Sequence, residues 1–217
     1  RRVLFRSLGS ECFVPPIKGA DKKNVFAVRR LDDTKKIADV LPQVKNVIVI
    51  GGGVLGLEAA WELKKAKCHV TVLELAPVIM GRQLDEPAAE LLKKISENQD
   101  IEIRTGVKIA AIEGDDFVSG IRMEDGEVLP ADIVVVSCGV RANTAVAKDA
   151  GIEVDRSVVV NAKMETNVED IYACGDCAQY QGINYGLWSQ AVEQGKTAGA
   201  NAAGDDLEYE TVSAALN

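Results

Sequence analysis

The run Val47-Ile48-Val49-Ile50-Gly51-Gly52-Gly53-Val54-Leu55-Gly56-Leu57-Glu58 constrains this chain more than any other stretch. It reads as a buried strand, a Gly51-x-Gly53-x-x-Gly56 turn and the start of an amphipathic helix, which is the sequence form of a dinucleotide-binding turn. Gly51 permits the tight turn, Gly53 leaves no Cβ between the backbone and a pyrophosphate, and Gly56 lets the helix pack close to the strand. The helix then directs its unpaired N–H groups and positive dipole end at the phosphates. Glycine-rich loops are common, so the turn alone says little, and a merely tight strand–helix turn is the alternative. The context says more. The helix, expected over 54–67, leads into a second apolar strand, His69–Leu73, that ends in Glu74, about twenty residues beyond the first glycine. A carboxylate there accepts hydrogen bonds from the adenosine ribose hydroxyls and repels a 2′-phosphate, which favours NAD over NADP. Leu75, Ala76 and Pro77 bring no cation to reverse that preference.

Composition narrows the class. A chain of 217 residues can bury a large core and hold one large or two small domains. Its net charge of −8 argues against a nucleic-acid or anionic-membrane surface, and no apolar run approaches a membrane span. Five scattered cysteines do not resemble a secreted disulfide framework, and no signal peptide is visible, so a cytoplasmic, reduced setting is expected.

Along the chain, Arg1–Ser7 resembles nothing downstream and is either a short strand (Val3-Leu4-Phe5) or a foreign join. A turn-rich stretch follows, with Leu8-Gly9-Ser10 and Pro15-Pro16, then a strand-like 25–28. A helix runs from Asp32, a good N-cap, to Leu41, and Pro42 closes it. Beyond Glu74 the reading continues with a helix over 86–98, a strand Ile101–Arg104, a meander of three short antiparallel strands over 107–129, and a fully apolar strand over 133–137 ending at Gly139. This order describes a complete α/β, Rossmann-like nucleotide-binding unit from roughly 31 to 143.

The last third is different. A short strand Val158–Val160 precedes Ile171-Tyr172-Ala173-Cys174-Gly175-Asp176, and a helix over about 189–203 follows the aromatic pair Tyr185 and Trp188. A strand ending in Gly175-Asp176 suits a ligand hydroxyl that meets a carboxylate while the backbone comes close at the glycine. An ordinary turn is the other reading.

VIVIGGGVLGLEAAWEL, VVVSCGVRAN and TNVEDIYACGDCAQY stand in the order found in the pyridine nucleotide-disulfide oxidoreductase superfamily, which the chain resembles from about Leu8 to its end. The run Tyr185-Gly186-Leu187-Trp188, followed by Ala191-Val192-Glu193-Gln194-Gly195, is most similar to NADH:rubredoxin reductases and the flavin module of nitrite reductase large subunits. The resemblance implies an FAD/NAD(P)-binding three-layer (ββα) fold, with an NAD(H) domain at 31–143 inserted in a partial FAD domain made of 1–30 and 144–217. It implies NADH held by Gly51, Gly53, Gly56 and Glu74, with Glu58 near the nicotinamide and Gly139 after the last strand. Asp176, beside Gly175, matches the acid that receives the FAD ribityl chain. The stretch 188–194, from Trp188 to Gln194, matches the helix start facing the flavin pyrimidine, where backbone N–H groups stabilise negative charge on reduced flavin. Gly9 falls where the family has a Thr-Gly-Ser turn, although Leu8 departs from it.

A second GxGxxG unit opens the family pattern and an interface domain closes it. Neither is in this sequence, so the chain reads as an internal piece that binds NADH and holds FAD weakly or not at all. The implied chemistry is hydride transfer from NADH to flavin N5, with electrons passing to a rubredoxin or other iron–sulfur partner, dioxygen or a disulfide. No side chain is singled out as catalytic. A non-catalytic NADH-binding module is the alternative. Cys174-x-x-Cys177 is formally a redox or half-zinc motif, but it lies within the Gly-Asp stretch, no second CxxC exists, and the only histidine, His69, begins a strand elsewhere. Cys12, Cys68 and Cys138 read as packing residues. Arg82 and Arg141 either touch a cofactor or present solvated heads, and Trp188 either stacks near the flavin or fills the core.

Overall fold

The run 47–50 is apolar at consecutive positions rather than alternate ones, a pattern that demands cover on both faces of its sheet. The computed structural model describes residues 4–210. In chain order it holds strands β1 (Leu4–Arg6), β2 (Ser10–Cys12) and β3 (Val25–Ala27), helix α1 (Leu31–Val40), β4 (Asn46–Ile50), α2 (Val54–Lys65), β5 (His69–Leu73) and α3 (Glu86–Glu97). Then come β6 (Ile101–Arg104), β7 (Ile109–Glu113), β8 (Gly120–Met123), β9 (Val128–Pro130), β10 (Ile133–Val136) and β11 (Val140–Ala142). Helix α4 (Ala145–Asp149), strands β12 (Val158–Val160), β13 (Ile171–Ala173) and β14 (Ala178–Tyr180), and helix α5 (Trp188–Ala203) complete the order.

A parallel sheet with strand order β3-β10-β4-β5-β6 carries the first of two compact units, Cys12–Gly139. Its pleat sends alternate side chains to opposite faces. Val47, Val49, Val70, Val72, Ile133 and Val135 pack with Ala60 and Leu63 of α2. Ile48, Ile50, Leu73, Val134 and Val136 pack instead with Ile112 and Ile121 of the antiparallel meander β7-β8-β9. Helices, sheet and meander are therefore the three layers of a ββα arrangement, and the doubly apolar strands are its middle layer. Strand β3 joins this sheet beside β10, in the register Val25–Val134.

The start of α1 differs from expectation. Asp32 is not its N-cap. Arg30 is, and Asp33 reaches back so that its carboxylate accepts the backbone N–H groups of Arg29 at 3.1 Å and Arg30 at 2.9 Å. Those hydrogen bonds hold the Asp33 carboxyl below the usual carboxylate range, the Arg30 N–H contributing most. An acid three residues past a cap serves the same orphan donors from inside the helix. Pro42, expected just beyond the helix, lies in a single 3-10 turn, Leu41–Gln43.

The second unit comprises the described parts of Arg1–Glu11 and Val140–Asn217. Short strands pair in twos: β1 with β13 and β12 with β14, both parallel, and β2 with β11. Leu4–Arg6 is thus strand within the stretch read as either a strand or a foreign join, while Val3 lies outside the described residues. The compact divisions fall at 11/12 and 139/140 rather than at the expected 30/31 and 143/144: β3 and the turns before it hydrogen-bond into the sheet and meander (Val118 N–H to Lys23 O, 3.1 Å; Ile112 N–H to Lys18 O, 2.8 Å), and β11 pairs with β2. None of the described helices is long and apolar enough to cross a membrane.

Candidate functional site

In the Cys12–Gly139 unit the chain leaves β4 through the glycine turn and enters α2 with Gly53 as N-cap. Gly51 has φ +113°, and a Cβ there would lie 2.3 Å from the Ser137 carbonyl oxygen. Gly56 sits so close beneath the turn that its Cβ would lie 2.0 Å from the Gly51 oxygen. A Cβ at Gly53, by contrast, would meet nothing within 4 Å, so the surface there is open to an approaching group. No side chain caps α2, whose first N–H groups have no intrahelical acceptor. The three glycines therefore do different work: two are enforced by backbone packing and one keeps a surface clear.

Glu74 ends β5 beside this turn. Its Oε2 accepts the Gly52 N–H at 2.6 Å and its Oε1 accepts the Ala76 N–H at 2.7 Å. Two backbone donors thus fix the carboxylate plane, while an ionised carboxylate has about four acceptor sites in all. The remaining lone pairs are available to further donors. The link to Gly52 also ties the acid to the turn, an interaction the spacing of the two did not announce. Glu58 is exposed on α2, and Gly139, at φ +89°, follows β10 with open space where a Cβ would be. Arg82 is exposed on the loop before α3, as is Arg141 on β11.

Cys138 lies two residues beyond β10, its thiol 3.6 Å from the Ile50 carbonyl oxygen. Burial, helped by the negative Glu74, pushes its pKa up to about 11. At pH 8 that leaves only about 0.1% thiolate, the form that reacts. Iodoacetamide labelling followed by mass spectrometry should therefore modify Cys138 far more slowly than free cysteine. Modification at the free-cysteine rate would contradict this account of its surroundings.

The other candidates lie in the second unit. Gly175 has φ +74° and opens a 3-10 turn, Gly175–Cys177. Asp176 Oδ2 accepts a hydrogen bond from Ser10 Oγ at 2.9 Å, and Ser10 is only 8% exposed. Gly9, at φ +68°, precedes that serine, and its carbonyl accepts the Asn143 N–H at 3.0 Å while Asn143 Nδ2 donates to Leu8 O at 3.0 Å. So the Gly9 turn and the Gly175–Asp176 turn, far apart in sequence, are brought together by a serine that sequence reading passed over. The only hint was its place in the Leu8-Gly9-Ser10 turn. Asn184 also went unnoticed: its Nδ2 donates to the Asp176 carbonyl at 2.8 Å and to the Ala178 carbonyl at 3.0 Å.

Helix α5 begins one residue before the expected 189. Trp188, its first residue, is 85% exposed, which removes the core-filling alternative. Gln194 is 2% exposed and its Oε1 accepts the Gly175 N–H at 2.8 Å. Cys177 is fully buried, accepts the Leu8 N–H at 3.3 Å and donates to the Cys174 carbonyl at 3.4 Å. Burial, with the neighbouring Cys177, raises the Cys174 pKa. The CxxC thus has the surroundings of structural thiols, and no metal-ligating cluster occurs among the described residues. Gly51, Gly53, Gly56, Glu58, Glu74 and Gly139 belong to one unit, and Gly9, Gly175, Asp176, Trp188 and Gln194 to the other.

Comparison with known proteins places the chain in a family. Nitrite reductase [NAD(P)H] of Bacillus subtilis is 42% identical over 93% of this chain, which spans 25% of that protein. NADH oxidase of Methanocaldococcus jannaschii is 35% identical over 95% of the chain and 48% of its own length. Among solved structures, NADH:rubredoxin oxidoreductase from Clostridium acetobutylicum superposes with TM-score 0.79 at 31% identity, over 97% of this chain and 52% of that one. A NAD-dependent persulfide reductase from A. fulgidus reaches TM-score 0.92 at 28% identity, over 97% of this chain and 40% of that one. The chain thus spans about a quarter to a half of the length of these relatives. The family described as pyridine nucleotide-disulphide oxidoreductase matches residues 4–195, most of the chain, and the chain belongs to that family.

Proposed function

We propose that this chain is the nucleotide-binding part of an FAD-dependent oxidoreductase that takes electrons from NADH in preference to NADPH and passes them to an iron–sulfur or rubredoxin-type acceptor. The observation that carries the reading is the Gly51–Gly56 turn with Glu74 fastened beside it. The open face at Gly53 and the uncapped start of α2 suit a pyrophosphate, and a carboxylate held by the Gly52 and Ala76 N–H groups suits ribose hydroxyls while repelling a 2′-phosphate. The same fit supports FAD at the other unit, where Asp176, oriented by Ser10, presents a carboxylate beside the positive-φ Gly175. Gly9 and the exposed start of α5 at Trp188 are the remaining contacts we assign to FAD, and Glu58 and Gly139 to NADH. The acceptor class rests on relatives named as rubredoxin and ferredoxin reductases.

When bound, the flavin supplies hydride acceptance at N5 and delivery of electrons onward. The chain's residues contribute binding and orientation. Gly51 and Gly56 hold the turn tight, Glu74 grips ribose, and the α2 start offsets phosphate charge. At the second unit, Asp176 orients the ribityl hydroxyls and the N-terminus of α5 favours an anionic flavin ring edge. None of these roles moves a proton.

Dye reduction by the purified protein with added FAD tests the reading. NADH should outperform NADPH, and Glu74→Ala should weaken NADH about tenfold, the worth of one charge-assisted hydrogen bond at about 1.5 kcal/mol. Equal use of NADH and NADPH by the unaltered protein would defeat the assignment of Glu74. Absence of any reduction with FAD bound would leave a nucleotide-binding module in place of an enzyme.

A further inference from the structure

A chain of buried polar groups runs behind the Gly175–Asp176 turn. Gln190 and Gln194 are one turn apart on α5, so they share a face, and each is only 2% exposed. Burying two primary amides is costly unless their hydrogen-bonding groups are matched. Gln194 Oε1 accepts the Gly175 N–H at 2.8 Å. The Tyr209 hydroxyl donates to Gln190 Oε1. Because the Gln194 oxygen faces Gly175, its NH2 is left for the tyrosine oxygen, and a hydrogen bond from Gln194 opposes the rise that burial imposes on the Tyr209 pKa. The donors and acceptors therefore align in one direction, from the Gln194 amide through the Tyr209 hydroxyl to the Gln190 oxygen, as an amide and a phenol require.

Tyr209 reaches this position because the chain folds back after α5. Gly204, at φ +110°, ends the helix in the left-handed conformation. Asn201 then grips the returning segment, donating to the Leu207 carbonyl at 2.8 Å and accepting the Leu207 N–H at 2.8 Å, while Tyr209 N–H donates to Ala162 O at 2.7 Å. The Tyr209 ring packs edge-on against Tyr180 with centroids 5.8 Å apart. So the ring position is set by the strap and by Tyr180, leaving the hydroxyl to set the orientation of the two glutamines.

We propose that Tyr209 is a positioning residue: by fixing the Gln194 amide, it holds the Gly175 backbone N–H and with it the Asp176 turn in the geometry that receives FAD. The FAD part rests on the reading of Asp176 given above, whereas the link from Tyr209 to Gly175 does not. It also recasts Gln194, whose oxygen is committed to Gly175, as a support of the turn.

The test is Tyr209→Phe in the purified protein, which keeps the ring and removes only the hydroxyl. Amide hydrogen exchange at Gly175 should accelerate at least tenfold, while the Ala173 amide, bonded to Met164 O in the same unit, keeps its rate. FAD affinity, titrated by quenching of flavin fluorescence, should fall about fivefold. Gln194→Leu should reproduce both changes. Unchanged exchange at Gly175, or equal acceleration at Ala173, overturns the proposal, as does faster Gly175 exchange with undiminished FAD affinity. If Asp176→Ala leaves FAD binding intact, the FAD reading fails instead, and the Gly175 exchange rate still decides the role of Tyr209.

Discussion

Replacing Gly51 by alanine is expected to lower the melting temperature by about 9 °C, whereas the same change at Gly53 leaves it nearly unaltered. At Gly51 two penalties combine. The backbone stands at φ +113°, where an L side chain is strained, and the added Cβ would lie 2.3 Å from the Ser137 oxygen. Neither wall can yield easily, because Gly51 N–H is bonded to Leu73 O at 2.8 Å and Ser137 N–H to Ile50 O at 2.8 Å, at the centre of the parallel sheet. Strain and overpacking of this kind cost about 3 kcal/mol together, and a domain of this size loses about 3 °C per kcal/mol. Gly53, at φ −82° with open space around it, accepts a methyl group without strain. Its substitution should weaken NADH, since the methyl would occupy the face proposed for the pyrophosphate. Thermal melting by circular dichroism, paired with NADH titration, separates the two roles. Equal melting temperatures for the two variants would contradict the structural role given to Gly51.

Asp176→Ala is expected to reduce FAD affinity by about two orders of magnitude with little loss of fold. The carboxylate is the proposed acceptor for two ribityl hydroxyls, and two hydrogen bonds to a charged acceptor are worth about 3 kcal/mol, close to a hundredfold in affinity. The variant also removes the carboxylate to which the Ser10 hydroxyl donates at 2.9 Å. Ser10→Ala should therefore cost less than the aspartate itself, because it disturbs orientation and leaves the charge in place. Fluorescence titration of FAD gives both values. An Asp176→Ala protein that binds FAD as tightly as the parent would remove Asp176 from the site.

Much of the Cys12–Gly139 unit was legible in the sequence because its signals are local. Strands His69–Leu73 and Ile101–Arg104 stand as read, the helix after Gly53 begins where the glycine turn foretells it, and the next helix begins at Glu86 as read. Asp85 accepts the Ala88 N–H at 3.0 Å, an N-cap whose partner lies three residues away. Misreadings arose where two local devices compete. Asp32 has the composition of a cap, but the extended backbone at Arg30 makes Arg30 the N-cap and leaves Asp33, inside the first turn, to accept the orphan N–H groups. Short strands such as Ser10–Cys12, Val140–Ala142 and Ala178–Tyr180 carry too few residues to show a period, and form because a distant partner is present.

The sequence by itself determined the glycine turn, the apolar middle layer and the acids at Glu74 and Asp176, since each depends on residue type and on spacing along one stretch of chain. Tertiary structure decided what orients them. Gly52 holding Glu74, Ser10 holding Asp176 and Tyr209 reaching Gln190 join residues 22, 166 and 19 positions apart, through single hydrogen bonds that no periodicity encodes. A hydrogen bond between side chains depends on where separate segments meet, and packing sets that.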